Sequence, residues 1–158
     1  MLIRLARALP AMLLTTSLLA GQAPDFTGRK LDGSLFRLAD ATGKRVVVVD
    51  FWATWCEPCL KLLKKLQAIQ QARPDIEVVA VSIDDASSFA NISQLIQGKG
   101  YTFTVVTDPD GAILRLYNPS LEIPFSFVVD RKGNLVYGHT GYLPGDEKEL
   151  IRCLDGLK

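Results

Sequence analysis

The chain has 158 residues, 48% of them hydrophobic and 22% charged, with a net charge of +1 at pH 7. These values fit one globular domain with a sizeable core and exclude a disordered chain. Near-neutrality argues against a general nucleic-acid binder. Of the three cysteines, Cys56 and Cys59 form a Cys-x-x-Cys and Cys153 stands alone. That is no disulfide-stapled scaffold, and neither a second Cys-x-x-Cys nor a His pair completes a zinc pattern.

Residues 1–23 read as a secretory leader or N-terminal anchor, and residues 24–158 as the folded domain. Arg4 and Arg7 precede a short apolar stretch, Leu9 to Ala20, which is below the roughly twenty residues of a membrane-spanning helix. Small residues Ala20, Gly21 and Ala23 follow as a cleavage zone. Export places the thiols in an oxidising compartment.

Pro24 to Asp40 reads as a short β region with a hairpin signal at Asp32-Gly33. Arg45 to Trp52 is apolar at almost every position, as expected of a central strand covered on both faces. A helical pattern follows Cys56 and continues to Ala72, with Leu62, Leu63, Leu66 and Ile69 on one side. Arg73-Pro74-Asp75 ends it, and Ile76 to Ile83 is a second buried strand. Asp84-Asp85 is expected to cap a helix from Ala86 to Gly98 with Phe89, Ile92 and Ile96 inward. A strand at Phe103 to Thr107, a turn at 108–111 and a short helix to Tyr117 come next. Ile123 to Asp130 is a strand opening on Pro124, and Arg131 to Asn134 turns into Leu135 to His139. The closing helix, Asp146 to Leu157, carries Leu150, Ile151, Leu154 and Leu157 as its stripe. Strands alternating with helices, then a hairpin and helix, predict a mixed α/β sheet with helices on both faces.

The chemistry concentrates between the first buried strand and the helix after it. A Cys-x-x-Cys at a strand-to-helix turn puts Cys56 at or just before the first helical turn, with Pro58 inside it. Unpaired N–H groups and the positive end of the helix dipole favour a thiolate there. The pair reads as a redox couple needing no metal or organic cofactor. Glu57 suits the helix start and reaches Lys61 one turn on, but its charge opposes the dipole at Cys56 and argues against a very strong oxidant.

The run Val49 to Cys59 (Val-Asp-Phe-Trp-Ala-Thr-Trp-Cys-Glu-Pro-Cys) resembles a thioredoxin active site, and Pro24 to the C-terminus resembles the exported TlpA/ResA-type thioredoxins. The resemblance implies a thioredoxin fold: a central mixed sheet flanked by helices, with an N-terminal β extension and a βα insertion within Ile76 to Tyr117. It implies an exposed attacking thiolate at Cys56, a buried resolving thiol at Cys59 and a buried proton acceptor at Asp50. Pro124 resembles the family's cis-proline, which exposes the backbone of Ile123 to substrate. Trp55, Glu57, Pro58 and Ile123 would then form the substrate side. Leu62 and Lys64 stand where many such proteins carry glutamate and then proline, and Asp50 where many carry asparagine.

The resulting expectation is a thiol-disulfide oxidoreductase facing the periplasm, acting more as reductant than oxidant. Its expected partners are cysteine-containing exported proteins, with apocytochrome c among the candidates, and a membrane electron donor. A disulfide-forming oxidase or isomerase is the alternative among enzymes. A copper-handling module using both thiols as soft ligands is the alternative outside them, although no His or Met is suitably placed. Trp52 reads as core, Cys153 as a buried inert cysteine and His139 as a strand residue without a role.

Overall fold

The computed structural model describes residues 21–157, so most of the leader expected at 1–23 lies outside the described residues. Gly21 to Ala23 already belong to the fold. Gln22 bridges to Asn134, and the Ala23 amide donates to the Gly133 carbonyl at 2.9 Å. No helix among the described residues is long and apolar enough to cross a membrane.

Seven strands among the described residues form one mixed sheet in the order β2-β1-β5-β4-β3-β6-β7. They are β1 (Thr27–Lys30), β2 (Leu35–Arg37), β3 (Val46–Trp52), β4 (Ile76–Ser82), β5 (Thr104–Thr107), β6 (Phe125–Val129) and β7 (Leu135–Thr140). β3, β4 and β5 run parallel, and β6 lies antiparallel to β3. All seven residues of β3 are buried. Full burial of a Val or Phe side chain is worth about 1.5–3 kcal/mol, so this strand is the fixed floor from which the chemical loop springs.

Alternation along β3 sends Val46, Val48 and Trp52 to one face and Val47, Val49 and Phe51 to the other. The first face packs under α2 (Glu57–Ala72), α3 (Phe89–Lys99) and α5 (Glu147–Asp155) through residues such as Leu63, Leu66, Ile92 and Leu154. The second is closed by α1 (Leu38–Thr42) and α4 (Ala112–Tyr117) with Phe26 and Phe36. Pro74 restricts the residue before it, so α2 ends with Arg73 in a non-helical conformation (φ −132°, ψ 85°). Arg73 then pairs with Asp75 and Asp155, tying the end of α2 to α5.

The expected thioredoxin-type sheet is present, with several local differences. Pro24 to Asp40 is not all β: the chain turns helical at Leu38, where the Asp25 carboxylate accepts from the Ala39 amide at 2.9 Å and from Arg37 at 2.7 Å. Asp85 alone caps the next helical turn, a 3-10 turn at Ala86–Ser88, and Asp84 points elsewhere. Phe89 is exposed rather than inward because α3 begins there, and Ile151 flanks the buried pair Leu150 and Leu154 rather than joining it. Gly98 stays helical, and α3 stops at left-handed Gly100 (φ 66°). The proline strand begins at Phe125, after Pro124.

Gly28 on β1 shows how tightly the N-terminal extension is seated. A Cβ there would meet Val106 Cγ1 at 2.2 Å. Gly28→Ala is expected to destabilise the fold by about 1–3 kcal/mol through overpacking, measured as a lower midpoint of urea unfolding.

Candidate active site

β3 ends at Trp52, whose carbonyl accepts from the Ile83 amide at 2.9 Å. The chain turns over Ala53 to Trp55, closed by the Cys56 amide donating to the Ala53 carbonyl at 3.1 Å. Cys56 is the N-cap of α2 (φ −91°, ψ 97°) and Pro58 lies in the first turn. The Cys56 sulfur accepts from the Cys59 amide at 3.3 Å, the place an N-cap oxygen usually takes. The sulfur therefore sits at the positive end of a 16-residue helix, where a thiolate is favoured. A disulfide joins Cys56 to Cys59.

Cys56 keeps only 6% of its surface and Cys59 none. Cys56 is thus not the openly exposed sulfur expected, because the disulfide draws it against the helix start. It remains the residue of the pair that keeps any exposed surface. Trp55 beside it is 70% exposed, while Trp52 is wholly buried. Glu57 and Pro58 are exposed. Lys61 lies 2.8 Å from the Glu57 carboxylate and holds it below the usual range.

Asp50 is fully buried two residues before Trp52, so alternation puts it on the face of β3 that carries α2. It lies opposite Ser126 of β6, whose hydroxyl donates to Asp50 Oδ1 at 2.6 Å. Burial pushes its carboxyl up from 3.8 to about 7, against the smaller lowering by Ser126. Asp50 Oδ2 and Trp52 Nε1 are the two buried side-chain polar atoms without a partner among the described residues. Oδ2 is therefore open to a proton.

The Ile123–Pro124 peptide is cis. Pro124 is buried, and its carbonyl accepts from the Gly141 amide at 2.7 Å. Ile123 is half-buried and packs against the cluster that contains Cys56 and Cys59. It lies beyond the last β3–β6 pair, Phe51 with Phe125, and its N–H and C=O have no partner among the described residues.

Two residues escaped the sequence reading. Ser126 is the single hydroxyl in an apolar strand, a detectable signal. Asp84 looked like a helix cap, yet it is buried and binds Thr54 in the loop before Cys56. Cys153 is half-buried rather than buried, and its partial burial raises its thiol. His139 lies on β7 with Nε2 3.5 Å from Asp146.

Residues 19–138 match the model of the AhpC/TSA family. The Thioredoxin-like protein YneN of Bacillus subtilis is 34% identical over 85% of this chain and 78% of its own length. The Thiol-disulfide oxidoreductase ResA of Geobacillus thermodenitrificans is 30% identical over 86% and 76%. A solved structure described as a putative Thiol:disulfide interchange protein DsbE from Chlorobium tepidum superposes with a TM-score of 0.75 at 33% identity, covering 87% of this chain and 96% of that one.

Proposed function

Because the chain belongs to the AhpC/TSA family and is a thioredoxin-fold thiol-disulfide oxidoreductase, we propose that it reduces disulfides in exported proteins through Cys56 and Cys59. The observation that carries this reading is the Cys56–Cys59 pair at the start of α2, on the side of the sheet that also holds buried, half-partnered Asp50.

In the reduced protein the Cys56 thiolate attacks one sulfur of the substrate disulfide. A Cys56–substrate disulfide forms and the first substrate thiolate leaves. Asp50 takes the proton of Cys59, and the Cys59 thiolate attacks the Cys56 sulfur. The second substrate thiolate leaves, two electrons have passed to the substrate, and Cys56–Cys59 is a disulfide again. The unpaired backbone of Ile123, packed on the cluster that contains both cysteines, offers the substrate one strand-like contact, with Trp55 as the exposed apolar residue of the chemical loop. Each turnover consumes two electrons, so an upstream donor is required, and in an oxidising compartment a membrane protein supplies them. Apocytochrome c is one client of suitable chemistry.

The reduction potential of the couple, measured in Cys153→Ser protein, tests the direction of flow. Glu57 and its Lys61 partner leave no strong stabilisation of the reduced form beyond the helix start, so a value of about −270 mV is expected. A value of about −120 mV would instead mark a disulfide-forming oxidase.

A further inference from the structure

We infer that Asp84 is a positioning residue for Cys56, acting through Thr54. β4 runs parallel to β3 with Ser82 opposite Trp52, so Asp84 emerges at the same end of the sheet as the chemical loop. It retains 4% of its surface. Its carboxylate accepts from the Thr54 amide (2.9 Å to Oδ2, 3.2 Å to Oδ1), from the Thr54 hydroxyl at 2.6 Å and from the Ser82 hydroxyl at 2.7 Å. Its own amide donates back to Ser82 Oγ at 3.2 Å. No cation pairs with it among the described residues. A buried carboxylate left unsatisfied is costly. Here the donors are Thr54 and Ser82, and Thr54 lies two residues before the N-cap cysteine.

The loop from Ala53 to Trp55 has few other ties. The Cys56 amide closes its own turn on Ala53, and Ile83 holds Trp52. Asp84 is the side-chain clamp that fixes where the chain enters α2. In the oxidised protein the disulfide holds the Cys56 sulfur 3.3 Å from the Cys59 amide; once that bond is reduced, the entry of the chain into α2 is what keeps the sulfur at this amide. A sulfur held against an unpaired helix amide is a better thiolate than one that drifts away. Asp84 therefore acts on the reaction without touching the reacting atoms.

The inference rests on Cys56 being the attacking thiolate, and its test does not depend on the substrate. The rate of Cys56 alkylation by iodoacetamide is followed against pH in reduced Cys153→Ser protein. Asp84→Ala is expected to slow alkylation at pH 7 about tenfold, as the thiolate fraction falls. Thr54→Val, which removes the hydroxyl donor and leaves the backbone donor and the carboxylate charge in place, should slow it about threefold, and Thr54→Ser, which keeps the hydroxyl donor, should stay within about twofold of the parent. Unchanged pH profiles in Asp84→Ala and Thr54→Val, with only the melting temperature lowered, would make Asp84 a packing residue and overturn the inference. Faster alkylation in Asp84→Ala with no effect of Thr54→Val would overturn it in favour of a bare charge effect. If Asp84→Ala does not fold, the Thr54→Val and Thr54→Ser pair decides alone. Insulin-disulfide reduction by the parent protein is run alongside. Failure there removes the reductase reading and leaves the alkylation result standing.

Discussion

Cys56→Ser is expected to lower disulfide reduction by ~10³-fold or more, since a serine hydroxyl without an activating base is no substitute for a thiolate. Cys59→Ser is expected to fail differently. Cys56 still attacks, but nothing resolves the product, so a mixed disulfide accumulates and appears on a non-reducing gel or as an added mass. The asymmetry follows from geometry: Cys56 retains the surface of the pair, and Cys59 is completely buried in the first turn of α2. If Cys56→Ser accumulates the adduct and Cys59→Ser does not, the order of attack is reversed.

The second large effect belongs to Asp50, and it has two faces. With its carboxyl at about 7, Asp50 changes from proton holder to proton acceptor within the working range. The rate of resolution should rise with pH through about 7 in the parent protein. Asp50→Asn should remove that limb and slow resolution about a hundredfold at pH 7, leaving dependence on the thiol's own ionisation. Stability should move the opposite way. The folded state binds this proton more tightly than the unfolded chain does. The contribution is therefore fully present below about 4, fades as pH rises to about 7 and is constant above that. The displacement from 3.8 to about 7 corresponds to about 4 kcal/mol. The amide cannot ionise and escapes that loss, while an unpartnered N–H₂ at the Oδ2 position costs about 1–3 kcal/mol. The variant should thus be more stable than the parent at pH 8 by about 1–3 kcal/mol, read from urea unfolding at pH 4 and pH 8. A parent protein whose stability is flat from pH 4 to pH 8 would sink the assignment of a raised Asp50 carboxyl.

What the sequence made legible follows from the range over which each signal acts. The buried β3, the helix after Cys56 and the paired thiols are written in contiguous residues, through unbroken hydrophobicity, period and spacing. The sequence places Trp55 near the site and Trp52 in the core without deciding between that and plain packing for both; the 70% exposure of Trp55 is a finding of the structure. The contacts of Asp84 and Ser126 were not, because each depends on which strand lies beside β3. Thr54 and Asp84 are thirty positions apart, and Asp50 and Ser126 are seventy-six. Local rules read Asp84-Asp85 as one cap, and only the end of β4 beside the loop separates their roles. The helix at Leu38 was hidden for a similar reason: its first two amides donate to the Phe26 carbonyl and the Asp25 carboxylate, twelve to fourteen residues upstream.

The two rims of the sheet carry a consequence for aggregation. A protein proposed to handle loosely folded clients risks capturing their backbones on any open strand edge. One rim, β2, is three residues long. The other, β7, loses its register against β6 where Val128 faces Tyr137 but Val129 faces Leu135, leaving Val136 as an extra residue. Neither offers a long, flat template. Under the proposed function, strand-like capture would fall instead to the unpaired backbone of Ile123, just before β6 and packed on the cluster that contains Cys56 and Cys59.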